Sequence, residues 1–353
     1  MPAEARARRP WRIGLTAHLD GGGSAHTGTF ERALQRALVQ RASAQRALVQ
    51  RASAQRTPIP SPAHEPLAEL HVACDGASAE RAEVVARRFV DAQVDVVVGH
   101  FASAAAAAAA PRYEDAGIPL LLPAATAPPL TARTNVFRLC PHDGALLAAV
   151  TDWLARPRPW TDLCVLDDGS ASARGFAEAL RAAARRIAGV RTVASAADAQ
   201  ALFFAGRHHA ALELVRALGD RLPAHLMLSD DAIHPAMSAE LAARGRSAIA
   251  FGLDVAEPGV GVYFAETCAA VEIALALQCC VTQGLPPIEA VQNLAWPTTL
   301  GVVSFDRGEN VAARVACWRL GLAGAEVFAP DGGSRDAPEF DRKARSVLRS
   351  NHA

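Results

Sequence analysis

The sequence predicts an α/β chain built from mostly parallel sheets flanked by helices, and three observations carry that reading. Residues 94–134, VDVVVGHFASAAAAAAAPRYEDAGIPLLLPAATAPPLTART, place two short apolar runs, 94–98 and 118–122, on either side of an alanine-rich helical segment. Each run stops at a loop of small residues, which is the pattern of a buried parallel strand–helix–strand unit. The same alternation recurs along the chain. Finally, 353 residues with 51% hydrophobic content suit two lobes of ordinary domain size with ample cores.

Taken in order, predicted strands at 12–18, 68–74, 94–100 and 118–123 alternate with helices to make lobe 1, assigned residues 12–138 plus 262–301 after a short tail, 1–11. A crossing near 137–141 leads into lobe 2, assigned 139–261 plus 302–330, with strands near 163–168, 191–194, 201–205, 225–229 and 248–252. The apolar helix expected from about 262 to 282 returns to lobe 1. Residues 302–305 cross again to a last pair of strands at 311–320 and 325–328, and 331–353 form a tail. Three crossings imply a hinge over which a cleft closes on a ligand. The first helix, 28–56, carries a perfect repeat, RALVQRASAQ, at 36–45 and 46–55. Ten residues at 100° each rotate the second copy about 80° from the first, so the two apolar stripes do not align. The repeat reads as a solvated extension about 15 Å long, made basic by Arg36, Arg41, Arg46, Arg51 and Arg56.

Lys+Arg and Asp+Glu balance at 36 each, so no global field recruits nucleic acid or an anionic membrane. No run is expected to reach the roughly 18 apolar residues of a membrane helix. The start, MPAEARARRPWRIGLTAHLDG, passes from a basic segment into the first strand without an apolar signal region, so the chain as written is expected in the cytoplasm, or in the periplasm if the true start lies upstream. Seven cysteines without paired spacing suit a reducing compartment, and Cys279-Cys280 reads as a pair of small hydrophobes in a packed helix.

The loop GHFAS (99–103) and the strand end PAAT (123–126) resemble the first lobe of the leucine/isoleucine/valine-binding, periplasmic type of ABC-transporter solute receptor. Residues 12–18 with 21–28, LCVLDDGSASARG (163–175) and LGVVSFDRGEN (300–310) resemble later and earlier landmarks of the same family. The resemblance implies the two-lobed type I periplasmic-binding-protein-like fold. It also implies that Ser103, Ala124 and Thr126 grip a ligand's α-carboxylate and ammonium, and that Asp230, in the LSDD loop, pairs with the ammonium. Thr27, Ser172 and the Arg207/His208 pair stand where relatives carry aromatics over the ligand side chain, so an amino-acid-like head group is expected rather than leucine itself. Some relatives pair a cysteine at the position of Cys74 with one in the GH loop; Ala102 stands there here. Only some seven residues separate the strands at 191–194 and 201–205, where the family places a helix, and 251–261 is also abbreviated, so lobe 2 reads as shortened.

His18, His26, His100, His142, His208, His209 and His234 all fall at strand ends or crossings, near the expected cleft. Imidazoles beside Asp230 and Asp231 suit a metal or a general base, but the spacing matches no metal motif and no cofactor is expected. Two functions remain. The favoured one is a small-molecule binding protein, a cytoplasmic or degenerate receptor acting as ligand sensor or carrier. Its expected partners are an ABC permease or a regulatory protein, with a homodimer as a further alternative. The other is an enzyme that has recruited the cleft through the lobe-2 His/Asp cluster.

Overall fold

A computed structural model of the chain describes residues 9–20, 26–39, 68–253, 261–321 and 324–328. Parallel strands β1 (Arg12–Ala17), β2 (Glu69–Cys74), β3 (Val96–Gly99), β4 (Leu120–Leu122) and β5 (Val136–Arg138) make most of the first sheet. The second is built from β6 (Asp162–Asp167), β7 (Arg191–Val193), β8 (Ala201–Ala205), β9 (His225–Leu228) and β10 (Ser247–Leu253), again parallel. The chain then returns through the helix Phe264–Thr282, a short helix Pro287–Asn293, and a hairpin of β11 (Trp296–Thr298) and β12 (Gly301–Val303). β13 (Phe305–Asp306) and β14 (Glu309–Asn310) finish the first sheet, in the order β13-β14-β5-β4-β3-β1-β2. Antiparallel β15 (Val315–Gly321) and β16 (Gly324–Phe328) finish the second, β16-β15-β10-β9-β8-β6-β7. This is the two-lobed α/β architecture read from the sequence.

Central strands are buried on both faces, as continuous apolar runs such as VVVG in β3 and ALFFA in β8 require. In lobe 1, one face of the sheet packs on the helix Phe264–Thr282 with Trp11, Phe30, Phe137 and Trp296, and the other on the helices Ala79–Asp91 and Ser103–Asp115. The alanine run of the second of these helices lets it approach closely. Ala105, Ala106, Ala109 and Ala110 are all fully buried.

Three differences from the sequence reading have physical causes. The last crossing falls after residue 310, not at 302–305. Phe305 stacks edge-on against Phe137 (5.3 Å), and the Asn310 side-chain amide donates to the Leu139 carbonyl (3.1 Å), so β13 and β14 are held to lobe 1. The apolar helix Phe264–Thr282, 19 residues, is in fact long and apolar enough to cross a membrane by length and composition; here twelve of its residues are buried in the lobe-1 core. Thirdly, His100 does not face the cleft. It is fully buried, with Nδ1 2.9 Å from an Asp75 carboxylate oxygen and Nε2 3.1 Å from the Tyr113 hydroxyl, tying the end of β2 to the helix Ser103–Asp115. Burial pushes the Asp75 carboxyl up, but the His100 hydrogen bond and charge outweigh it and the net shift is downward.

Residues 196–198 form a single 3-10 turn between β7 and β8, so the connection lacks a full helix, as read from its length. Residues 26–39 are helical; the remainder of the repeat, from residue 40, lies outside the described residues, as do 254–260.

Candidate functional site

Both sheets present the carboxyl ends of their parallel strands to the space between the lobes, where open α/β sheets take their ligands. On the lobe-1 side the GHFAS turn needs glycine at 99. Its φ is +142°, and a Cβ there would sit 1.9 Å from the Thr16 carbonyl oxygen. This turn delivers Ser103 to the N-terminus of its helix, where Oγ accepts from the Ala127 N–H (3.2 Å) and leaves the hydroxyl proton to donate elsewhere. Ala124 is buried beside it. The loop after β4 is clamped from below by Arg138, fully buried in β5, whose guanidinium donates to the carbonyls of Thr126 (2.9 Å) and Ala127 (2.6 Å). Thr126 also accepts from the Asp143 N–H at its carbonyl (2.9 Å). Four backbone and side-chain contacts thus fix the small-residue wall before any ligand arrives.

Asp143, in the first turn of the helix Asp143–Ala155, was missed by sequence reading. Burial raises its carboxyl pKa, with Thr126 and Arg138 opposing. Its charge reaches Asp230 on the same lobe. Asp230 follows β9 in the 3-10 turn Asp230–Ala232, and burial, then repulsion from Asp231 and more weakly Asp143, pushes its pKa up to about 7, while the hydrogen bond from the Tyr263 hydroxyl pulls it down. Tyr263 itself occupies the left-handed region (φ +63°) where the chain re-enters lobe 1, so the bond to Asp230 spans the two lobes.

A second contact spans them as well. His26 Nε2 lies 3.3 Å from an Asp231 carboxylate oxygen, with the His26 ring packed between Phe101 (5.6 Å) and Tyr263 (5.5 Å). Burial works against its charge, yet the Asp231 carboxylate, with Asp230 beyond, leaves its pKa raised. Beside this pair, His208 and His234 meet ring to ring at 4.2 Å. His208 is driven down to about 4 by burial and by the neighbouring imidazoles His234 and His209, so it stands neutral; its buried Nδ1 has no hydrogen-bond partner among the described residues. His234 spends its Nδ1 on the Ala236 N–H (3.1 Å), capping the helix Pro235–Ala243.

Of the residues singled out from sequence, Ser103, Ala124 and Thr126 form one wall, while Asp230 and His208 lie on the opposite lobe. Thr27 turns its hydroxyl back to the His18 carbonyl. Ser172 is exposed in the first turn of the helix Ala171–Ala184, outside the Asp230 cluster. Arg207 is exposed and bonded to Asp168, whose pKa is lowered to about 2: burial opposes the shift, and hydrogen bonds from Ser170 and Arg207 overcome it. That pair joins the ends of β6 and β8. Asp143, Tyr263 and His26 complete the cleft. Of these only His26 carried a sequence signal, its place after a glycine-rich loop.

Comparison with known proteins bears on the fold. Residues 68–203 match the periplasmic binding protein family. An amino acid binding protein of Pseudomonas aeruginosa is 28% identical over 180 residues, 45% of this chain and 48% of that relative. The chain thus spans about half or less of the length of the curated relatives it matches. Among solved structures, a leucine-binding protein of Thermotoga maritima is 16% identical at a TM-score of 0.69, covering 90% of this chain and 98% of that one. A branched-chain amino acid substrate-binding protein of Streptococcus pneumoniae in complex with isoleucine is 16% identical at a TM-score of 0.67, covering 91% and 99%. The fold is that of the type I periplasmic binding proteins, and the chain resembles the leucine/isoleucine/valine-binding solute receptors of ABC transporters, as its loops indicated.

Proposed function

We propose that the chain is a solute receptor for a small amino-acid-like molecule, whose ammonium meets Asp230 and whose carboxylate meets Ser103, Thr126 and the adjoining backbone. One observation carries this reading. Three carboxyl groups, Asp143, Asp230 and Asp231, converge on the cleft, and Asp230 is pushed up to about 7 by burial and by its acidic neighbours. An ammonium placed there would relieve that repulsion and restore the carboxylate, which is how a buried acid favours a cationic ligand. The fixed small-residue wall opposite supplies donors for an anion at a distance set by lobe closure.

The lobe-spanning bonds Tyr263–Asp230 and His26–Asp231 support a receptor that closes over its ligand and presents the closed form to a partner, an ABC permease or a regulatory protein. All seven cysteines are free, which favours a reducing compartment and hence a cytoplasmic sensor or carrier.

The test is calorimetric titration with a panel of amino acids and their deaminated analogues. The amino acids should bind at least tenfold tighter, and Asp230→Asn should erase that difference. Equal affinity for both series on the unaltered protein would sink the assignment of Asp230 to an ammonium. An enzyme that uses the cleft is the second reading, favoured by neutral His208, whose Nδ1 has no hydrogen-bond partner among the described residues; turnover of a bound ligand abolished by His208→Ala would establish it.

A further inference from the structure

The helix Phe264–Thr282 opens with a buried acid that the receptor reading leaves unused. Glu266 stands in its first turn, three residues past the crossing at Tyr263, and is 3% exposed, yet its Oε2 has no hydrogen-bond partner among the described residues. We propose that the ligand carries two cationic groups, as a diamino acid does, with Asp230 receiving one and Glu266 the other. This extends the receptor reading, on which it rests, from the ligand's head group to its side chain.

Glu266 shares its helix face with Ala269, Ala270 and Ile273, which follow it by three, four and seven positions and pack in the same core cluster as Leu139 and Cys140 of the first crossing. The Cys140 thiol shows which charges gather there. Burial pushes its pKa up, Arg138 opposes, and the carboxyls of Glu266 and then Asp230 push it further. Both acids therefore act on one thiol at the crossings, Asp230 from the turn after β9 and Glu266 from the helix that re-enters lobe 1. Arg138, the guanidinium beside that thiol, has its two terminal nitrogens committed to the carbonyls of Thr126 and Ala127.

Burial raises the Glu266 carboxyl to about 8, with its own backbone N–H opposing, so at pH 7 it holds a proton. Asp230, at about 7, is half ionised. A desolvated acid that faces no cation gains most from one that the ligand brings, because the charged form is then paired and hydrogen-bonded. A single ammonium on Asp230 leaves Glu266 protonated with its Oε2 unmatched; a second cation ionises it. An aliphatic side chain laid against Glu266 would keep a buried polar atom without a partner, which is costlier than a neutral contact.

Ornithine and norleucine have side chains of equal length that end in an ammonium and a methyl group; lysine is one methylene longer, and 1,4-diaminobutane is ornithine without its carboxylate. Isothermal titration of the full chain with all four at pH 7, in buffers of different ionisation enthalpy, gives both the affinity and the protons released. The tighter-binding of ornithine and lysine should exceed norleucine at least tenfold and release about one more proton, the one that Glu266 holds. Glu266→Gln mimics the neutral acid, so it should keep the norleucine affinity while it erases the tenfold gap and the extra proton. Norleucine binding as tightly as both diamino acids, a gap that survives Glu266→Gln, or, should that variant not fold, no extra proton on the unaltered protein, would overturn the inference and leave the receptor reading standing. Equal binding of 1,4-diaminobutane and ornithine would uphold the pair of acids and remove the carboxylate from the receptor reading. Binding of none of the four would overturn both.

Discussion

Replacing Asp230 with asparagine should make the ligand-free protein more stable while it damages ligand recognition. The folded-state pKa of Asp230 is raised from 3.8 to about 7, chiefly by burial and then by Asp231. Between those values the unfolded chain has released a proton that the folded chain still holds, so stability falls as pH rises from about 4 through 7. Three units at 1.4 kcal/mol each set a ceiling of about 4 kcal/mol. Asp231 and Asp143 share the repulsion and the cleft admits some water, so we expect roughly half of it, about 2 kcal/mol. Asparagine mimics the neutral acid and keeps an acceptor for the Tyr263 hydroxyl. At an unfolding entropy of about 2.1 cal/mol/K per residue, 353 residues convert 2 kcal/mol to about 3 °C. Differential scanning calorimetry from pH 4 to pH 8, without ligand, reads it directly: the two proteins should nearly coincide at pH 4 and the variant should melt about 3 °C higher at pH 8. A variant that melts lower at pH 8, or that keeps the full pH slope, would show that Asp230 is not a strained acid, and the ammonium argument would lose its basis.

Other perturbations probe the remaining parts of the cleft. Ser103→Ala combined with Thr126→Val should weaken an amino-acid ligand at least tenfold, since hydrogen bonds to a charged group contribute about 1.5–3 kcal/mol each; unchanged affinity in the titration would move the anion elsewhere. His26→Gln should reduce lobe closure at mildly acidic pH. The raised His26 pKa makes its contribution full below the ordinary value of 6.5 and lost as pH rises through the folded value, so small-angle scattering should distinguish the two proteins at pH 6 and not at pH 9. Gly99→Ala should destabilise by more than about 3 kcal/mol in denaturant unfolding, because its Cβ meets the Thr16 carbonyl and its φ of +142° is closed to other residues.

What could be read from the sequence depended on whether the signal was local. The parallel units showed because strands buried on both faces must be continuous apolar runs, and the loops GHFAS and PAAT showed because small residues at strand ends have few other uses. The site's electrostatics did not show, because they come from residues that meet only after folding. Asp143 sits 87 positions before Asp230, and nothing in the helix start HDGALL distinguishes a cleft acid from a first-turn aspartate that merely favours the helix dipole. Tyr263 reads as the start of an apolar helix, and its bond to Asp230 depends on a left-handed residue that no periodicity announces. His100 misled in the opposite direction: a histidine at a strand end suggests a cleft, yet Asp75 and Tyr113 enclose both ring nitrogens in the lobe interior. The displaced crossing at β13 and β14 has the same origin, since a two-residue strand carries no periodicity and is held by Phe137 and Leu139, more than 160 positions earlier in the chain. A small-residue wall can therefore be read from a motif when the backbone makes it. Where a charge makes the contact, the partner set must be known first, and here that set joins the adjacent Asp231 to Asp143 at a helix start and Tyr263 at a crossing.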